Sequence, residues 1–240
     1  AGTSKNIAIH ATSGDANLGL LLHQSNSADP ATQMQARPSA VATALAAGIG
    51  EVECLTYTAT TSDWFGLVVE NAGSTTVTDF MVYADSSAPT GSLAINAGAA
   101  QTGASRVFLD VTADDAQTGI RRVRVRNVPG TFGAFQALTA PIIWDLAPGA
   151  GTRTVEVEIE NNACLTALVS DTISVYACPQ PAGPLANGSF SVATGLPWCF
   201  TDQSTNGLVQ YTGGQALVTG GNDGVSGFTY TYISQAVVVP

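Results

Sequence analysis

The chain has 240 residues, room for two or three small domains, and only 11% of them are charged. Its net charge is −10 and Lys5 is the sole lysine, which argues against a protein built to hold nucleic-acid phosphates, a task that needs clustered Lys and Arg; the one basic cluster, Arg121 to Arg126, has an internal partner in the Glu strand. No run of about 18 apolar residues occurs, so no membrane-spanning helix is expected.

Residues 1–86 carry short apolar stretches at Ile7–Ile9, Leu18–Leu22, Val52–Tyr57, Trp64–Val69 and Thr76–Tyr83, divided by turns such as Ser13-Gly14-Asp15 and Asn71-Ala72-Gly73-Ser74. Short strands at this spacing predict a small β-sandwich. Residues 30–50 are Ala-rich with Pro30 and Pro38 and read as a long loop with room for one helical turn. Asp85-Ser86-Ser87-Ala88-Pro89-Thr90 has the composition of a domain boundary.

Residues 87–177 hold candidate strands at about 92–96, 106–112, 120–127, 132–138, 141–145, 152–160 and 170–176, the pattern of a second sandwich. Two of them alternate charge with aliphatic residues. Arg122, Arg124 and Arg126 share one face, with Val123 and Val125 opposite; Glu156, Glu158 and Glu160 share one face, with Val155, Val157 and Ile159 opposite. Laid side by side, they predict an ion-pair ladder on a wet face and a packed inner face. Cys178-Pro179-Gln180-Pro181-Ala182-Gly183-Pro184 follows, and residues 178–184 read as a stiff linker. Residues 185–240 form a last β-domain without Lys or Arg.

Family resemblance enters at three places. Pro89-Thr90-Gly91-Ser92, Ile95-Asn96-Ala97-Gly98-Ala99, Val107 to Asp114, Thr118-Gly119-Ile120, Trp144-Asp145-Leu146, Gly151-Thr152-Arg153-Thr154-Val155 and Ser170-Asp171-Thr172-Ile173 resemble an immunoglobulin-like repeat common in large secreted bacterial proteins. That repeat has a Gly-Asn turn where this chain has Asn161-Asn162-Ala163-Cys164. Gly14-Asp15-Ala16-Asn17-Leu18 and Trp64 to Glu70 resemble the small β-domains that follow the catalytic unit of secreted peptidases. Asn187-Gly188-Ser189-Phe190, Leu196-Pro197-Trp198 and Tyr232 to Pro240 resemble the opening of a carbohydrate-binding jelly roll, with Ser191 where such modules place a calcium-serving Glu. The resemblance implies a partial jelly roll with uncovered strand edges.

Four cysteines occur, Cys54, Cys164, Cys178 and Cys199, none in a Cys-x-x-Cys pair. An even count favours disulfides in an oxidising compartment over buried thiols. The chain opens at Ala1 without a basic or apolar leader, so a secretion signal, where one was used, has been removed. The immunoglobulin-like resemblance implies that the turn bearing Cys164 faces residues 1–86 and that Cys178 lies at the opposite end, roughly 25 Å away. That is too far to bridge. The implied pairs are Cys54–Cys164 and Cys178–Cys199.

Catalytic patterns are not found: no Gly-x-Ser-x-Gly elbow and no phosphate loop. His10 and His23 each end an apolar strand and read as solvent-facing rather than as a metal pair. Asp114 and Asp115 read as a turn-capping pair, with structural calcium the alternative, and Asp223 as a turn residue first. Trp198, Tyr211, Phe228, Tyr230 and Tyr232 are the candidate ligand-binding set, since aromatic faces stack on sugars; core packing is the competing role. The expected protein is all-β, a row of sandwich domains outside the cell, non-catalytic and structural or adhesive, with a filament subunit assembled through open strand edges as its sharpest form. Its expected partners are copies of itself, cell-surface proteins or glycans. The alternative is the accessory, glycan- or substrate-binding region of a secreted hydrolase. No cofactor is expected beyond structural calcium.

Overall fold

The computed structural model describes residues 2, 4–12, 17–24, 39–45, 48, 51–71 and 79–176 in full, and the backbone of 199–202, 208–212, 215–219 and 231–234. The chain is all-β. It divides into two compact units, one comprising Ala1–Thr90, Ala113–Arg122 and Ile159–Ala167, the other Gly91–Thr112, Val123–Glu158 and Leu168–Pro240.

The first unit contains two three-stranded antiparallel sheets. One has β1 (Ser4–Ala11) between β4 (Glu53–Thr58) and β6 (Phe80–Asp85); the other has β2 (Leu18–Gln24) between β3 (Ala40–Ala44) and β5 (Phe65–Asn71). The β2 sequence Leu-Gly-Leu-Leu-Leu-His-Gln is nearly continuous in apolar residues because this central strand is buried along most of its length. Ile9, Leu18, Leu20, Leu22 and Leu55 form the core, flanked by Tyr57, Phe65, Leu67 and Val69. Each such fully buried aliphatic side chain contributes about 1.5–3 kcal/mol. One expectation fails here: Ala40–Ala44, read as loop, is a strand paired with Leu20–His23. Its alanines carry little β-propensity, and pairing to the apolar β2 overrides that weakness.

The next strands are β7 (Thr90–Ile95), β8 (Gln101–Thr102), β9 (Arg106–Asp114), β10 (Ile120–Val128), β11 (Ile142–Asp145), β12 (Gly151–Asn161) and β13 (Thr166–Val175). They form a sheet ordered β11-β9-β7 and a sheet ordered β10-β12-β13-β8, with β8 parallel to β13. This is the strand partition of an immunoglobulin-like sandwich. The inner positions obey the period of two: Val107, Leu109 and Val111 on β9, Val123 and Val125 on β10, and Val155 and Val157 on β12 are buried. The strand expected at 132–138 is absent; that segment makes a single bridge, Gln136 to Val123.

In the last segment, β14 (Cys199–Asp202) pairs with β17 (Thr231–Ser234), and β15 (Leu208–Thr212) pairs with β16 (Gln215–Thr219), both antiparallel.

Candidate functional site

Among the described residues the largest set of ion pairs braces β10 against β12. Arg122 donates from Nε and Nη2 to Glu160 at 2.9 and 3.1 Å. Arg124 donates from Nε and Nη2 to Glu158 at 3.1 and 2.8 Å, and Arg126 from Nε to Glu156 at 2.7 Å. The partner numbers rise by two on one strand as they fall by two on the other, as antiparallel pairing requires. The face is drier than the alternation predicts. The glutamate side chains are 7–18% exposed and these arginines 31–33%. The cause is the segment read as a strand. The Phe132 ring lies 4.9 Å from the Arg124 guanidinium and 4.4 Å from that of Arg126, and Phe135 lies 4.5 Å from Arg124. These rings gain cation–π attraction and shield the pairs from water. The same segment blocks the outer edge of β10: Gly133 N–H donates to the Val125 carbonyl, and Val123 and Gln136 exchange two backbone bonds at 2.8 Å.

Arg121 breaks the alternation. Its Nη1 also donates to Glu160, at 2.7 Å, so one buried carboxylate serves two guanidiniums. Burial and the adjacent Arg122 charge pull the Arg121 pKa below its ordinary value, with Glu160 opposing them. Glu160→Gln therefore costs about 2–4 kcal/mol, because it strands two half-buried cations. Glu156→Gln, at the better solvated end, costs under about 1 kcal/mol. Urea denaturation of the two variants measures the difference.

A second set of bonds converges on Asp85 in the first unit. Asp85 is fully buried. Its Oδ1 accepts from the Ser86 and Ser87 N–H groups at 2.6 and 2.9 Å, and its Oδ2 from the Thr118 hydroxyl and Asn161 Nδ2 at 3.1 and 3.2 Å. Asn161 Nδ2 also lies 2.9 Å from Asp115 Oδ2, while Asn161 Oδ1 accepts from the Ala163 and Leu165 N–H groups at 3.0 and 2.8 Å. Asp115 Oδ1 accepts from the N–H groups of Gln117, Thr118 and Gly119, the last at a φ of +74° that suits glycine. Burial pushes the Asp115 carboxyl upward, but the bonds from Asn161 and Thr118 outweigh it and hold its pKa below the ordinary value. Its stabilisation is complete above the unfolded value of 3.8 and is lost as pH falls through the lower folded value. Asp115 thus works as a turn cap. Asp114 is exposed, and its carbonyl accepts from the Thr90 hydroxyl.

The turn 161–165 is fastened in two further ways. Cys54 and Cys164 form a disulfide with a Cα–Cα distance of 6.1 Å. Cys164 sits at a φ of +64°, and Cys54 is exposed. His10, half-buried rather than solvent-facing, donates from Nε2 to the Asn162 carbonyl at 2.8 Å, and its ring packs 4.8 Å from that of Tyr83. His23 is buried as well and lies on β2, in a different sheet from His10. Burial lowers the His10 pKa below 6.5, the Asn162 bond opposing it. The folded state therefore binds this proton less well than the unfolded chain. Stability is full above pH 6.5 and falls as pH drops through the folded value. Thermal melts from pH 7.5 to pH 5 show this loss, and His10→Gln, which keeps a donor and does not titrate, flattens it.

One sheet edge is treated differently from the edge of β10. Among the described residues β6 pairs with β1 alone, and its successive residues Phe80, Met81 and Val82 are 48%, 51% and 42% exposed.

Trp198, Phe228, Tyr230, Cys178 and Asp223 lie outside the described residues, as do the side chains of Cys199, Tyr211 and Tyr232, so the aromatic set and the second expected disulfide fall there. Sequence reasoning missed Asn161 and Asp85 as bracing residues; the signal was the departure at Asn161-Asn162 from the Gly-Asn turn of the resembled repeat. Among the described residues no three His, Cys, Asp or Glu side chains converge as a metal site, and no helix is long and apolar enough to cross a membrane.

No protein-family profile matches the chain, and no curated protein matches it. Among solved structures it is similar to the fibronectin(III)-like modules of Clostridium thermocellum CbhA, with 14% identity, a TM-score of 0.35, and 74% of this chain and 86% of that one covered. It is also similar to the adhesin domain of Epf from Streptococcus pyogenes, with 12% identity, a TM-score of 0.27, and coverage of 75% and 70%.

Proposed function

We propose that this chain is an extracellular, non-catalytic structural or adhesive protein whose β-sandwich domains assemble with other copies through an open strand edge. The contrast between two edges carries the reading. The edge of β10 is blocked by residues 130–136, as edges are in sheets that stay solitary, whereas β6, which among the described residues pairs with β1 alone, presents three exposed apolar residues. An added strand gains main-chain hydrogen bonds there and covers Phe80, Met81 and Val82. The exposed disulfide supports an oxidising location. The jelly-roll resemblance of residues 185–240 supplies a further set of strands for the same use. The peptidase-associated resemblance of residues 1–86 supports a secreted setting for such a chain.

Negative-stain electron microscopy with intact mass on the same native sample tests it. Regular fibres with a repeating subunit near 24.4 kDa are expected, and Met81→Lys shortens or abolishes them. Discrete monomers that bind polysaccharide and lose it on Trp198→Ala would replace this reading with the accessory-module one.

A further inference from the structure

We infer that tension along this chain is carried across the Cys54–Cys164 bond, so that residues 55–163, with the whole arginine–glutamate ladder, form a reserve of length that thiol reduction releases. The covalent path dictates this. The two cysteines are 110 residues apart in sequence and 6.1 Å apart at Cα. Force entering on the N-terminal side of Cys54 and leaving on the C-terminal side of Cys164 passes through the two sulfurs. Once β1 and β2 have parted from β4, β5 and β6, and β13 from β12, the enclosed segment bears none of it. Hydrogen bonds and ion pairs in that segment, including Arg122–Glu160, Arg124–Glu158 and Arg126–Glu156, are thereby removed from the path. The bonds that remain exposed to force are those of β1, β2 and β3 on one side and those of Cys164 onward on the other.

The bond is placed to be opened. Cys54 is exposed and Cys164 is half-buried, so a thiolate from solvent reaches the Cys54 sulfur. A small dithiol supplies the chemistry. Its first thiolate attacks Cys54 Sγ, and Cys164 leaves as a thiolate and takes a proton. The second thiolate of the reductant then closes on its own sulfur and releases Cys54. The protein gains two thiols and the dithiol becomes a cyclic disulfide.

This deepens the structural role proposed above and depends on it for its purpose, whereas the length it predicts depends on the covalent path alone. The test is single-molecule pulling of the full chain from handles at residues 1 and 240. Fully extended, the oxidised chain is expected to be shorter than the C54S/C164S double variant by about 360–400 Å, the span of the enclosed residues. Complete extension reads this path whether or not the variant folds. Held at constant force, the oxidised chain is expected to lengthen by one step of that size when a dithiol is added. Equal extended lengths, or a dithiol step of only the size enclosed by Cys178 and Cys199, would overturn the inference. Monomers in the microscope together with the full step would remove the assembly reading and leave the force path standing.

Discussion

Replacing Asn161 with alanine lowers the unfolding free energy by about 3–5 kcal/mol, as the loss of one partner of a buried charged group does. Four groups lose their bonds together. Asp85, fully buried, loses its Asn161 donor; Asp115 loses the bond to its Oδ2; and the Ala163 and Leu165 N–H groups lose the oxygen that fixes the turn. Isothermal urea denaturation measures the loss. Asn161→Asp separates electrostatics from shape. It keeps the acceptor for the two N–H groups but sets a third carboxylate against Asp85 and Asp115. Its folded pKa is raised, so its penalty is full at pH 7 and is relieved as pH falls through that raised value. The alanine variant shows no such relief.

Removing the disulfide by C54S/C164S costs about 2–5 kcal/mol, the chain-entropy estimate for a loop near 100 residues being about 4.7 kcal/mol. The closed loop of 110 residues places this bond at the upper end of that range. Calorimetry of the double variant against the oxidised chain checks it. Because His10–Asn162 and Asn161–Asp85 remain, the turn 161–165 still docks at low temperature, and the loss is expected as an earlier transition rather than as an unfolded protein.

The ladder is legible because alternation over five or six residues leaves little choice of face, and the charges name their own partners. The disulfide is legible through topology: an immunoglobulin-like strand order fixes which end of the sandwich each turn occupies. Other parts are not. Residues 132–138 carry strand-like apolar residues, yet Phe132 and Phe135 are drawn onto Arg124 and Arg126, and Gly130 and Gly133 bend the chain along the edge of β10 instead of into a sheet. Nothing in the one-dimensional pattern announces a cation–π preference. Asp85 reads as a linker residue by composition, and its burial depends on Asn161 and Thr118, each more than 30 positions away. Polar hubs of this kind join residues with no common period, so periodicity is blind to them.

The spacing of the ladder has a consequence for how the chain reaches its structure. This sequence is crowded with Thr- and Val-rich segments that differ little in strand preference, and tandem sandwiches are prone to exchange strands with the wrong neighbour while folding. The Arg122–Arg124–Arg126 row fits one strand in one alignment. A slip of a single residue turns every guanidinium toward the aliphatic layer, and a slip of two leaves a charge at each end without its mate. The six charges thus favour the aligned β10–β12 pairing over a slipped one.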